Sequence, residues 1–201
     1  MILLLIVVTP YKPLDRQLME TILERQTLID YLLIRTPISQ DEQYQWIKAL
    51  IEAGFSKGKV MIHTDVALAE RLNIRNIHFR EGDVHAEKTK RMNPSYHVTM
   101  SVHDEEHVRL AHKWQLDFGI YGHLFPSNSK KGKAPRTDAE ITKALDIGFP
   151  LVAIGGINMN TIHQVPQAFI GFACIEAFFS KTKQDMHNLL EKWVIHKERS
   201  G

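Results

Sequence analysis

The sequence predicts an α/β fold, a single-domain (β/α)8 barrel of the TIM type, and three observations carry that expectation. Eight short apolar runs alternate with segments of helical periodicity, so each connection is long enough to return the next strand in parallel. The opening run, residues 1–8, is unalternating and rich in branched side chains, the habit of a strand covered on both faces. Polar residues recur where the runs end, and barrels of this kind build their active sites at the C-terminal ends of their strands. A doubly wound open sheet is the competing topology; eight helix-connected strands favour closure.

Taken in order, residues 1–8 have no basic leader and run at once into Thr9-Pro10-Tyr11-Lys12-Pro13. They are too short to span a bilayer and read as a buried strand, not as a signal peptide or anchor. Residues 14–26 place Leu14, Leu18 and Ile22 on one helical face. Residues 31–34 form a second strand ending at Arg35, and residues 41–53 a helix stopped by Gly54. A third strand, 59–62, leads into His63-Thr64-Asp65 and a helix over 66–72; a fourth, 76–79, precedes a polar helix over 83–92. The fifth strand, 96–100, ends at Ser101-Val102-His103 before a helix reaching Lys113. The sixth, 116–121, opens into the loop Tyr121 to Gly132, and a helix follows over 137–147, closed by Gly148 and Pro150. The seventh, 151–154, runs into Gly155-Gly156, the eighth covers 168–172, and helical segments over 173–179 and 185–195 close the chain.

No Pro/Gly/Ser-rich linker divides the 201 residues, so one domain is expected. A formal charge of +2, with basic residues not gathered into an aromatic-interleaved stripe, argues against a nucleic-acid partner. The single cysteine, Cys174, rules out an intramolecular disulfide framework and fits a reducing cytoplasm. Lying in Phe172-Ala173-Cys174-Ile175, it reads as a buried structural thiol, not a nucleophile. Trp46, Trp114 and Trp193 could be core or subunit interface, so a homo-oligomer is left open.

His123 is the lead catalytic candidate. It stands where the sixth strand ends, and a histidine can act as acid and base near neutral pH. Behind it, Ser127, Asn128, Ser129, Lys130 and Lys131 offer short donors and positive charge, although such runs are also ordinary solvated loops. Gly155 and Gly156 would let a phosphate approach backbone N–H groups, with the backbone of residues 173–175 as partner, since the loops after strands 7 and 8 form the usual phosphate site of this fold. Arg35 and Lys130 could hold a second anionic group, or make rim salt bridges. His63 and Asp65 could pair, or Asp65 could simply cap the helix at Val66. In His103-Asp104-Glu105-Glu106-His107 two histidines share a helical face, but Asp104 stands where a zinc-protease helix needs Glu and no third ligand is evident, so no metal is expected there. His85, His112, His187 and His196 read as surface residues.

With these residues in view the chain resembles the thiamine phosphate synthase superfamily and, within it, the thiazole tautomerase (TenI-type) branch. The likeness runs nearly full length through Ile34-Arg35, Asp65-Val66-Ala67-Leu68, Ser101-Val102-His103, Gly122-His123-Leu124-Phe125 with Ser129-Lys130-Lys131-Gly132, and Ala153-Ile154-Gly155-Gly156-Ile157. Synthases carry a Lys two residues after the strand-2 Arg and an Asn-Asp pair after strand 3 for a pyrophosphate and its magnesium. Pro37 and Met61-Ile62 stand there instead, with Asp83 as the other acidic position. The tautomerase branch is marked by His directly after the Gly that ends strand 6, as His123 is.

The resemblance implies aromatisation of an exocyclic-alkene thiazole carboxylate phosphate in thiamin biosynthesis, without cofactor or metal. His123 would be the acid/base; Gly155, Gly156, Cys174 and Ile175 would hold the phosphate, and Arg35, Ser101, Ser129 and Lys130 would contact ring or carboxylate. Alternatives are a magnesium-dependent thiamine phosphate synthase and a non-catalytic regulatory or ligand-binding relative. Two residues depart from the family's pattern: Thr99, where Gly is frequent, and Glu176, where a small Ser is usual.

Overall fold

A computed structural model describes residues 4–127 and 132–198. Eight parallel strands close into a barrel in chain order, β1 (Leu4–Val8), β2 (Tyr31–Ile34), β3 (Val60–His63), β4 (Asn76–Phe79), β5 (His97–Val102), β6 (Phe118–Gly122), β7 (Leu151–Ile154) and β8 (Gly171–Cys174), with β8 pairing back onto β1. The helices are α1 (Arg16–Glu24), α2 (Gln40–Glu52), α3 (Val66–Leu72), α4 (His85–Met92), α5 (Glu105–Lys113), α6 (Asp138–Leu145), α7 (Glu176–Ser180) and α8 (Lys183–Glu198). No helix among the described residues is long and apolar enough to cross a membrane.

Side chains that alternate along each strand divide into two cores. Leu4, Ile6, Val8, Leu33, Met61, Phe118, Ile120, Val152 and Ala173 fill the barrel, while Leu5, Val7, Leu32, Ile62, Ile77, Met100, Tyr121 and Phe172 pack outward beneath the helices. The helices start where the sequence supplies acceptors. Asp15, Asp65 and Asp104 cap α1, α3 and α5, and Ser39 and Thr137 make capping boxes with Glu42 and Glu140. The helix over the β8 side is anchored by Trp193, fully buried and edge-on to Phe172 at 6.0 Å between ring centroids. Trp193→Ala is expected to lower unfolding stability by about 3–5 kcal/mol, measured by urea denaturation. Trp46 and Trp114 are half-buried against the same core.

Strands and helices do not alternate strictly. Between β7 and β8 only a short 3-10 turn, Ile162–Gln164, stands in place of an α-helix, and two helices follow β8. The eighth strand also begins later than its apolar run. Phe169 and Ile170 lie in a turn, their N–H groups donating to Pro166 O and Leu151 O, and Phe169 is buried against Tyr121. The apolar run there records burial, not strand. At the other ends β3 reaches His63 and β5 reaches Val102, which draws His63 and Ser101 into the barrel wall.

Candidate active site

The inner face turns polar towards the C-terminal mouth. Strand alternation points His63, His78, Thr99 and Ser101 inward, and the parallel register sets His63 beside His78 and His78 beside Thr99. His78, 2% exposed, has both ring nitrogens engaged, Nδ1 with Thr99 Oγ1 and Nε2 with Ser101 Oγ, each at 2.8 Å. Thr99, one of the two family departures, therefore has a structural use as a partner for a buried imidazole. Sequence reading passed over His78 because it is flanked by Ile77 and Phe79; the available sign was its in-phase spacing with Asn76 on a half-polar strand.

Burial holds His63 at a pKa of about 4, with the Arg35 and Arg80 charges adding to the effect. It holds His78 at about 3, with His63 and Arg35 adding. Both are neutral near pH 7. A histidine whose folded pKa lies below its ordinary 6.5 contributes stability above that value and withdraws it as pH falls through the folded value. The thermal midpoint is therefore expected to fall between about pH 6.5 and pH 4, and less steeply in His78→Gln; an unchanged slope would remove His78 from the acid response.

His123 follows β6 across a Gly122–His123 peptide that is cis. Beyond it the loop stays laced to β7, Leu124 N donating to Ile154 O and Phe125 N to Gly155 O, both at 3.0 Å. The His123 side chain is 6% exposed, and its Nε2 lies 3.3 Å from the Lys133 carbonyl oxygen. A carbonyl can only accept, so in this contact Nε2–H is the donor, and in the neutral imidazole the lone pair then sits on Nδ1. Gly155 and Gly156 serve this loop first. Both have positive φ, +102° and +67°; a Cβ on Gly155 would fall 2.2 Å from His123 Cβ, and one on Gly156 2.5 Å from Pro126 O. Their lack of side chains gives His123 and the loop behind it room to pack, a role distinct from admitting a phosphate.

A cavity of about 1250 Å³ opens over these residues, ample for a ring carrying a phosphate. Its walls include Arg35, Ser101, His123, Gly155, Gly156, Cys174 and Ile175, gathered from five strand ends. Ser129 and Lys130 lie outside the described residues. Arg35 is fixed through its backbone, its N–H donating to Thr9 Oγ1 at 2.8 Å, and its guanidinium lies over the Tyr11 ring at 4.9 Å. Cys174 is buried, which pushes its thiol up to about 12, as an inert structural thiol requires. Arg80, Glu81, Lys133 and Lys181 also line the walls and were not foreseen. Glu176, exposed in the first turn of α7, lines the same wall as Lys181.

The carboxylates nearest the ends of β3 and β4 are engaged within the chain, which makes a poor magnesium–pyrophosphate site. β3 runs to His63, so Met61 and Ile62, expected after strand 3, lie inside it as buried apolar side chains, and the residues that follow it are Thr64 and Asp65. Asp65 is taken up in capping, accepting from Leu68 N and from Gln40 Nε2. Asp83 accepts from the N–H and lies 2.7 Å from the Nδ1 of His85.

Residues 5–178 match the TMP-TENI family, described as thiamine monophosphate synthase. The thiamine-phosphate synthase of Halalkalibacterium halodurans is 36% identical over 109 residues, covering 53% of this chain and 51% of that protein. That of Methylobacillus flagellatus is 33% identical over 105 residues, 50% of this chain and 49% of the relative, so the chain spans about half the length of these curated relatives. The Clostridium tetani thiamine-phosphate synthase is 28% identical over 175 residues, 85% of this chain and 82% of that one. Among solved structures, the thiamine phosphate pyrophosphorylase of Pyrococcus furiosus superposes with a TM-score of 0.74 at 22% identity, over 98% of this chain and 96% of that one, a likeness of fold.

Proposed function

The chain belongs to the thiamine monophosphate synthase (TMP-TENI) family, and on that premise we propose that it acts as a thiazole tautomerase of thiamin biosynthesis, aromatising a thiazole carboxylate phosphate tautomer by proton transfer through His123. The observation that carries this reading is the environment of His123: almost buried, lining the cavity, with Nε2 committed to the Lys133 carbonyl and Nδ1 left as the basic nitrogen. In the reaction a C–H bond of the ring breaks as Nδ1 takes the proton, the electron pair shifts through the ring to the exocyclic alkene, and the same proton forms a C–H bond at the exocyclic carbon. The step is redox-neutral and needs no cofactor. Acid/base assistance of this kind is worth roughly 10²–10⁴ in rate.

The remaining roles follow from charge and position. Arg35 and Arg80 suit the ring carboxylate, with Ser101, itself held by His78, against the ring. Backbone at Gly155, Gly156, Cys174 and Ile175, with Lys181 on the same wall, suits the phosphate; Glu176 is exposed there, where solvent screens its charge. Ser129 and Lys130 would contact the ring or carboxylate, and the ligand is a small molecule, not nucleic acid or a membrane.

A second reading, magnesium-dependent condensation of a thiazole phosphate with a pyrophosphate substrate, is favoured by the names of the curated relatives compared above, each a thiamine-phosphate synthase. The engagement of Asp65 in capping and of Asp83 with His85 weighs against it. Parallel incubations separate the two. The isomerase reading expects aromatic product from the tautomer and no thiamin phosphate from the condensation partners with magnesium. Thiamin phosphate without tautomer turnover would reverse the assignment.

A further inference from the structure

We propose that Glu81, Asp104 and His107 bind one divalent transition ion of the zinc class at the edge of the cavity mouth. The histidine pair of residues 103–107 lacked a third ligand in the sequence, and the fold supplies one from the loop between β4 and α4. One ligand atom from each of Glu81, Asp104 and His107 lies within 4.8 Å of the other two. His107 Nδ1 is 2.7 Å from Asp104 Oδ1 and 3.8 Å from Glu81 Oε2. A tetrahedral centre with bonds of about 2.0–2.1 Å sets its ligand atoms roughly 3.4 Å apart, a spacing that lies between those two separations.

The surroundings have the build of an outer shell. Glu81 is held in place by His103, whose Nδ1 lies 2.8 Å from Glu81 Oε2 and whose backbone N–H donates to that same oxygen, the one nearest His107. Asp104 and His107 are fixed in the first turn of α5, where Asp104 also accepts from His107 N at 2.9 Å. Two carboxylates facing one imidazole favour zinc, cobalt or nickel over magnesium, which prefers an all-oxygen octahedron. Three protein ligands leave a fourth position for water. The ion would tie the β4–α4 loop to α5 beside a cavity that Glu81 and His103 already line. This site does not depend on the isomerase reading, and its test uses no turnover.

The chelator-treated full chain is titrated with Co²⁺, followed by d–d absorbance, and with Zn²⁺ by calorimetry. Wild type and His187→Ala, which alters an ordinary exposed His–Glu pair on α8, are expected to bind one ion with the intense bands of a tetrahedral site. His107→Gln and Glu81→Gln should weaken binding at least about tenfold with unchanged circular dichroism, and Asp104→Asn, which keeps a competent cap, should do the same. Equal affinity in all variants, or magnesium competing with zinc at equal concentration, would overturn the proposal.

Discussion

Replacing His123 by asparagine is expected to slow aromatisation of the tautomer by about 10²–10⁴-fold while the barrel stays folded. The reasoning is local. Asparagine places its amide where Nδ1 lies, so the variant gives up the Nε2 contact with the Lys133 carbonyl, the one polar contact described for the imidazole, together with the nitrogen that can carry a proton between two carbons. His123 is nearly buried, so some packing is lost and the thermal midpoint should drop modestly. Product affinity should be little changed, because the groups proposed for phosphate and carboxylate lie elsewhere on the cavity wall. A rate that survives the substitution would move the acid/base role to another residue; ultraviolet absorbance at equal enzyme concentration reads it directly.

The second large effect is expected at Gly155→Ala. Its φ of +102° disfavours any L side chain, and the new methyl would sit 2.2 Å from His123 Cβ and 2.7 Å from its Cα. The strain alone costs about 1–3 kcal/mol. Because the clash falls on the catalytic candidate, the loop after β6 must move with it, and activity should fall by more than stability explains. Gly148→Ala is the matched control: φ is +73° and no heavy atom lies within 4 Å of its added Cβ. It should lose about 1–2 kcal/mol in chemical denaturation and keep its activity. Equal activity losses in the two variants would deny that Gly155 acts through His123.

What the sequence disclosed and what it hid divide along a physical line. Apolar runs separated by helical spacings identify strands that must be covered on both faces, so the eight-stranded closure was legible from β1 to β7. The run 168–172 misled because Phe169 is buried in a turn, and burial leaves the same mark as a strand interior. Residues at strand ends, such as Arg35, Ser101 and His123, were legible because polar side chains interrupt apolar runs at one end of the barrel. His78 was not, since a buried imidazole needs partners from a neighbouring strand, Thr99 and Ser101, that only register brings beside it. Glu81 likewise acquires meaning only when the β4–α4 loop meets α5. Gly155 and Gly156 were noticed for a phosphate, yet their tightest demand comes from the His123 loop.

The most direct test of the account is the rate of tautomer aromatisation by wild-type protein, followed by ultraviolet absorbance in the presence of a chelator and compared with the uncatalysed rate. The account predicts a large acceleration that the chelator leaves intact, because the proton is carried by His123. An unaccelerated reaction in protein that still binds the aromatic phosphate would contradict it, leaving a barrel that holds the ligand without transforming it.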